Sequence, residues 1–412
     1  MTSTTTPTVV VYGATGYTGR LVAAELVGRG VPVVLAGRSA ERLRAVADRL
    51  RSGAGGQGGA PAAEGGGSTP AVDVAVAPLD DEAALLGALR RGRVVANCAG
   101  PFVRTGDPVL RAAIAAGVHY LDTTGEQDWI RRTFEVHDAA LRGAGVAAVP
   151  GAAFDYLPGD LLAHLVGAPL EPLERLSVAY HVVGFGMTRG TQRSALEMLD
   201  GRDVAYEDGD WAPGGDRPRR ASVVFPAPVG RQTVARYPAG EVVMVPRHVE
   251  TRRVDARIST VSVVPPVAAR ALPALQPLLE RVLRTPVKGL LDRAIDRLPE
   301  GPPEDERRAA RWTVAVTAEA VDGRISRGVV RGPDIYGLTA RLIADGALAL
   351  ADPSFTGRGA LAPAQAFDPA ATLDGLADFG VTYEVDPPRG PAGADARAAA
   401  ARPAAVGTEA GR

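Results

Sequence analysis

The sequence predicts an α/β protein: a Rossmann-type doubly wound parallel sheet over residues 1–150, followed by a second α+β domain built on a largely antiparallel sheet. Three observations carry this. Strand-like and helix-like segments alternate from Val9 to Val149. A glycine-spaced turn, Gly13-Ala14-Thr15-Gly16-Tyr17-Thr18-Gly19, separates the first strand from the first helix. Beyond Pro150 the alternation stops and strand-like segments cluster, the signature of antiparallel pairing. A length of 412 residues suits two domains.

Val9-Val10-Val11-Tyr12 reads as a buried strand, because a short β-branched run favours extended backbone. Thr18 to Val27 reads as a helix and Val33 to Ala36 as a second strand. Ser39 then caps a helix whose Leu43, Val46, Ala47 and Leu50 recur at i, i+3, i+4 and i+7. Val72 to Val76 (strand), Asp81 to Arg91 (helix), Val94 to Cys98 (strand) and Asp107 to Ala116 (helix) continue the rhythm. Tyr120 to Asp122 (strand), Asp128 to Leu141 (helix) and Val146 to Val149 (strand) complete it. Residues 52–70, almost wholly Gly, Ala, Ser and Pro, cannot bury enough apolar surface to offset their ordering and are expected to be a disordered insert.

The second domain is expected over residues 151–350. Its strands fall at Arg175–Val183, Ser222–Phe225, Glu241–Val245 and Arg252–Val264, and Asp322-Gly323-Arg324 turns a hairpin between Val314–Val321 and Ile325–Val330. Helices fall at Gly190–Leu199, Leu272–Leu298 and Leu338–Ala351. Residues 351–386 are expected to return to the first domain, and 387–412 to form a disordered tail.

Composition narrows the chemistry. Basic and acidic residues nearly cancel, 46 against 47, which argues against a nucleic-acid or anionic-membrane partner. No stretch reaches the roughly 18 apolar residues of a membrane span. Met1 to Thr8 lacks the basic and apolar regions of a secretory signal. Cys98 is the single cysteine, so an intramolecular disulfide is impossible and a reducing, cytoplasmic setting fits. Lys288 is the single lysine, and the residue four before it is Arg284, so a Tyr-x-x-x-Lys reductase dyad is excluded. The histidines show no metal spacing and no carboxylate cluster accompanies them, so no catalytic metal is expected.

The glycine turn sits where a pyrophosphate meets a helix N-terminus, with free N–H donors and a partial positive charge. Gly13, Ala14, Thr15, Gly16, Tyr17 and Thr18 are therefore candidate cofactor ligands. NAD sites usually carry an acid at the end of the second strand for the ribose hydroxyl. Here that strand ends in Gly37-Arg38-Ser39, and Arg38 with Ser39 suits a 2′-phosphate, which selects NADP(H). Asp80, after the third strand, falls near the adenine. Cys98, Ala99, Gly100 and Pro101, after the fourth, are small enough for a close approach to the nicotinamide ribose. Cys98 reads as a space-filling residue rather than a nucleophile.

These blocks resemble the saccharopine dehydrogenase-like NADP-binding family, and within it the trans-acting enoyl reductases of actinobacterial lipid and polyketide pathways. The resemblance rests on Gly13 to Gly19, Ala36-Gly37-Arg38-Ser39 and Cys98 to Phe102, and extends to Tyr120-Leu121-Asp122-Thr123-Thr124-Gly125-Glu126 and Phe154 to Leu161. It continues more weakly through Gly184–Met198, Gly301–Arg307 and Asp334–Ala340. Ala153, Tyr156, Gly159 and Arg189 depart from the family pattern, which has glycine, serine, serine and glycine there. The resemblance implies reduction of an α,β-unsaturated acyl or polyketide-type substrate, small or carrier-bound.

With no lysine dyad, the proton must come from Tyr, His, Asp or water. Tyr156 as acid with Asp155 positioning it is the leading assignment, since both follow the Val146–Val149 strand and emerge at the edge of the phosphate loop. The alternatives are that Asp155 only caps the helix after it, or that His119, Tyr120 and Asp122–Glu126 carry the chemistry. C=N reduction and a non-catalytic NADP-binding accessory role stay open. The second domain's sheet could pair across a homodimer.

Overall fold

The computed structural model describes residues 6–53, 70–198, 203–214, 221–262 and 287–390. The expected insert and tail lie almost entirely outside these residues, as does most of the helical stretch expected at Leu272–Leu298.

The first part of the chain runs β1 (Val9–Tyr12), α1 (Tyr17–Gly28), β2 (Val33–Gly37), α2 (Ala40–Arg51), β3 (Val72–Val76), α3 (Glu82–Leu89) and β4 (Val94–Asn97). It continues with α4 (Phe102–Ala116), β5 (His119–Asp122), α5 (Gln127–Arg132), α6 (Asp138–Ala144) and β6 (Ala147–Val149), a π-helical turn at Thr133–His137 joining α5 to α6. Its strands form one all-parallel sheet, from one edge to the other β6-β5-β4-β1-β2-β3, with a seventh strand beyond β6. The three valines of β1 at the centre of this sheet are fully buried, as strands covered on both faces must be. Strand order reverses between β1 and β4, so the crevice for a ligand opens where the chain leaves these two strands.

The second part begins with α7 (Leu157–Gly167), β7 (Leu173–Val183), α8 (Arg189–Met198), β8 (Val204–Glu207), β9 (Asp210–Pro213), β10 (Ala221–Val224) and β11 (Arg231–Arg236). Then follow α9 (Glu241–Met244), β12 (Val254–Ser259), α10 (Val287–Ile295), α11 (Glu304–Ala309), β13 (Arg311–Ala320) and β14 (Ile325–Pro333). The chain ends in α12 (Ile335–Ala351), β15 (Gly359–Ala360), α13 (Pro363–Ala366), α14 (Pro369–Asp374) and β16 (Thr382–Val385). Nine strands make a second sheet with a main path β10-β11-β12-β7-β13-β14-β16 and a β8–β9 branch on β12. Its pairs are antiparallel except β7 with β12. The hairpin at Asp322-Gly323-Arg324 is present, with Gly323 at φ +85° and the Asp322 carboxylate accepting from Arg324 N at 3.0 Å.

The C-terminal segment divides between the two sheets. β15 is the seventh parallel strand, on β6, whereas β16 pairs with β14. α12 packs on α1 and over β4 and β5, so the last third of the chain supplies a helix and a strand to the first sheet.

Two elements differ from the sequence reading. Glu241–Met244 is a helical turn, not a strand; all four residues are buried, and a short apolar run buried on every side carries no period to separate the two conformations. α4 starts at Phe102, five residues before the expected Asp107, and carries Pro108 inside it. Its extra turn is held by a carboxylate from another loop, which local pattern does not reveal.

Candidate active site

The loop after β1 is built for close approach. Gly13 sits at φ +80°, where only glycine is unstrained, and a Cβ there would lie 2.9 Å from Ala99 Cβ on the loop after β4. A Cβ on Gly19 would overlap the Gly13 carbonyl oxygen, so the first turn of α1 can lie on the loop only with glycine at that position. Gly13 N donates to Ala36 O at 2.9 Å and Gly16 N to Gly13 O at 3.0 Å, closing the turn. Ala14 is fully buried beneath it.

No side chain caps the N-terminus of α1. Its neighbours are all capped: Ser39 accepts from Arg42 N at 3.4 Å, Asp81 from Ala84 N at 2.9 Å, and Glu126 from both Phe102 N and Val103 N at 2.9 and 2.8 Å. The Tyr17, Thr18 and Gly19 N–H groups thus face the loop as a ready anion site. The Thr15 carbonyl is turned away, accepting from Arg20 at 2.8 Å and Arg42 at 3.4 Å.

At the end of β2, Arg38 is exposed and makes no ion pair or hydrogen bond among the described residues. It bears electrostatically on the Tyr12 hydroxyl, as does Asp80 from the turn after β3. That hydroxyl donates to Ala77 O at 2.9 Å and is pushed up to about 12, chiefly by burial. Arg38, Ser39, Asp80 and the glycine loop therefore share one strand-end edge. A free guanidinium beside an uncapped helix N-terminus fits a dinucleotide with a 2′-phosphate.

The other side of the crevice is pinned by buried polar groups. Asn97 accepts from Ala99 N at 3.1 Å and donates to Tyr120 at 3.1 Å. Fully buried Asp122 accepts from Tyr120, Trp129, Thr124 N and Gly151 N at 2.7–3.1 Å, tying the ends of β5 and β6 together. Glu126 fixes the start of α4 and accepts from Ser194 of α8 at 2.7 Å. The Cys98 thiol is driven up to about 12 by burial, so it stays neutral. Gly100 and Pro101 complete the loop, and the Thr105 hydroxyl bonds back to the Ala99 carbonyl.

Asp155 and Tyr156 lie at the end of β6 on this same edge. Tyr156 is fully buried and its hydroxyl donates to the Gly125 carbonyl. Asp155 is partly exposed, has no cation beside it, and burial raises its carboxyl to about 6. Three groups from the second sheet converge here that the sequence did not single out. Tyr237, between β11 and α9, packs its ring 6.1 Å from Tyr156 and 5.6 Å from Tyr180 of β7. Tyr180 bonds through its hydroxyl to Glu241, a fully buried carboxyl that burial holds well above the usual range. Only the contiguous Asp155-Tyr156 pair carried a local signal. Among the described residues no group of three or more His, Cys, Asp and Glu is placed to hold a metal.

Residues 9–149 match the family described as saccharopine dehydrogenase NADP binding domain. They form an NADP-binding domain of that kind. Curated relatives match part of the chain. A trans-acting enoyl reductase of Mycobacterium ulcerans is 34% identical over 158 residues, 38% of this chain and 34% of that protein. A putative trans-acting enoyl reductase of Mycobacterium tuberculosis is 30% identical over 198 residues, 46% and 44% respectively. A lipid droplet localized protein of Caenorhabditis elegans is 32% identical over 157 residues, 37% and 34%. The chain thus matches between a third and under a half of these relatives' lengths. The fold is similar to that of a saccharopine dehydrogenase (L-Glu forming) from Saccharomyces cerevisiae, with a TM-score of 0.56 over 92% of this chain and 100% of the other at 13% identity. Among the described residues no helix is long and apolar enough to cross a membrane.

Proposed function

We propose that the chain is an NADPH-dependent reductase that saturates the C=C bond of an α,β-unsaturated acyl thioester, free or carrier-bound. The uncapped α1 N-terminus beside uncommitted Arg38 is the observation that carries the cofactor, and the names of the mycobacterial relatives favour the enoyl substrate. Bound NADPH supplies the hydride. The chain's own residues hold it: the glycine loop and α1 N–H groups take the pyrophosphate, Arg38 and Ser39 the 2′-phosphate, and the small residues Cys98–Pro101 admit the nicotinamide ribose. Asp155 is the group that exchanges protons near neutrality, because burial without a cation places it at about 6.

Reduction adds a proton as well as a hydride, so Asp155 must be protonated at the outset. With its pKa raised from 3.8, the neutral form is the one folding favours. Its contribution to stability is full below pH 3.8 and is lost as pH rises through about 6. Above about 6, kcat should fall roughly tenfold per pH unit, and Asp155→Asn should remove that limb and lower kcat about 100-fold. NADPH oxidation with crotonyl thioesters against cyclic imines tests the substrate. Turnover of the imine alone would replace this reading with C=N reduction, and tight NADPH binding without turnover of either would replace it with an accessory role.

A further inference from the structure

The 2′-phosphate of NADP(H) carries roughly two negative charges at neutral pH, and Arg38 alone meets it with a single positive one. We infer that Arg42 is the second cation of that site, and that it gives up Glu300 to take the phosphate. This rests on the placement of the 2′-phosphate at Arg38 and Ser39 above.

Arg42 bridges the gap in which the adenosine ribose is held. It is the third residue of α2, and its backbone N–H donates to Ser39 Oγ at 3.4 Å, so its root lies at the end of β2. Its guanidinium reaches back to the glycine loop, where Nη2 donates to Thr15 O at 3.4 Å. Those are the two walls between which a sheet of this kind holds the ribose. The space beside them is open: a Cβ on Gly37 would meet nothing closer than Leu43 Cδ2 at 3.8 Å.

Arg20 and Arg42 share two partners and hold them differently. Arg20 uses separate nitrogens, Nη1 on Thr15 O at 2.8 Å and Nη2 on Glu300 Oε2 at 2.7 Å. Arg42 offers the single Nη2 to both, 3.4 Å from Thr15 O and 3.5 Å from Glu300 Oε1. Arg20 is a clamp on the loop; Arg42 is a loosely held cation. Its pair with Glu300 is about half-exposed on each side, and an ion pair so placed is worth little. A guanidinium on a phosphate, with two parallel N–H···O bonds, is worth more.

Glu300 stays in place when Arg42 turns away. Its carbonyl accepts from Arg189 N at 3.1 Å, and the Pro302 carbonyl accepts from the Tyr17 hydroxyl at 2.8 Å. The hydrogen bond from Arg20, and then the charges of Arg20, Arg42 and Arg189, hold its carboxyl below the usual range, so it remains an anion at neutral pH. A fixed anion there opposes the 2′-phosphate twice, by its own charge and by retaining Arg42. Glu300 therefore tunes the preference for NADP(H) in the opposite direction to the two arginines.

Calorimetric titration of the full chain with 2′,5′-ADP and with 5′-AMP isolates the 2′-phosphate without turnover. Wild-type protein should bind 2′,5′-ADP at least about 30-fold more tightly than 5′-AMP. Arg42→Ala should cut that ratio about tenfold, with 5′-AMP affinity and thermal unfolding unchanged. Glu300→Gln keeps a hydrogen-bonding side chain against Arg20, removes the competing charge and should raise the ratio about threefold. Most of that gain should vanish when Arg42→Ala is added. A ratio that collapses in Arg38→Ala but not in Arg42→Ala overturns the role of Arg42 alone. A ratio that Glu300→Gln lowers or leaves unmoved overturns the exchange between Glu300 and the phosphate. Wild-type protein that binds the two nucleotides equally overturns the placement of the 2′-phosphate and this inference together.

Discussion

Two helix N-termini open onto the same edge of the parallel sheet and are finished in opposite ways. α1 follows β1 and offers its first N–H groups to no side chain, while α4 follows the neighbouring β4 and gives its first two to the Glu126 carboxylate. The helix dipole is the same in both. What differs is whether the negative charge comes from inside the chain. At α4 the internal carboxylate locks the loop after β4 and reaches α8 through Ser194, so that end serves geometry. At α1 the donors stay free and glycines keep the approach clear, so that end serves an external anion.

The comparison breaks hardest at Gly19. Gly19→Val would drive a side chain into the Gly13 carbonyl, and NADPH affinity by calorimetric titration should fall at least about 100-fold, about 3 kcal/mol of strain and lost donors. Glu126→Ala removes the internal anion from α4. It should lower unfolding stability by about 2 kcal/mol in chemical denaturation while leaving NADPH affinity within about threefold. An equal loss of cofactor binding would show that the two termini do not divide their work.

Arg38→Ala sharpens the external side. NADPH should bind roughly 30-fold more weakly, about 2 kcal/mol, and NADH unchanged; equal losses would place Arg38 outside the phosphate site. The smallest effect is expected at Glu300, which pairs with Arg20 at 2.7 Å and Arg42 at 3.5 Å beside the glycine loop. These are partly exposed pairs, so Glu300→Gln should cost less than about 1 kcal/mol of stability.

The difference between the two termini also explains what the sequence could reveal. The α1 site is local: glycines, the missing acid after β2 and Arg38 lie within about thirty residues and impose their geometry through backbone sterics alone. Glu126 is 24 positions from Phe102, and nothing near Phe102 announces the carboxylate that starts α4 there, so the helix was expected five residues late. Asp155 and Tyr156 were legible as a pair beyond a strand. Tyr180, Tyr237 and Glu241 were not, because the second sheet brings them in from separate strands and loops, and Glu241 sits in an apolar run that reads equally well as a strand. Such groups acquire meaning only from the burial that surrounds them.

The seventh parallel strand, two residues near position 360, carries a last consequence. A fragment ending at Val149 would contain every cofactor-binding residue named above yet expose β6 as a bare edge and strip α12 from α1, β4 and β5. Unpaired edges of that kind associate with one another. During synthesis the first sheet therefore keeps an open edge at β6 until the ribosome has passed residue 360. The sheet that begins the chain is thus closed only by residues near its other end.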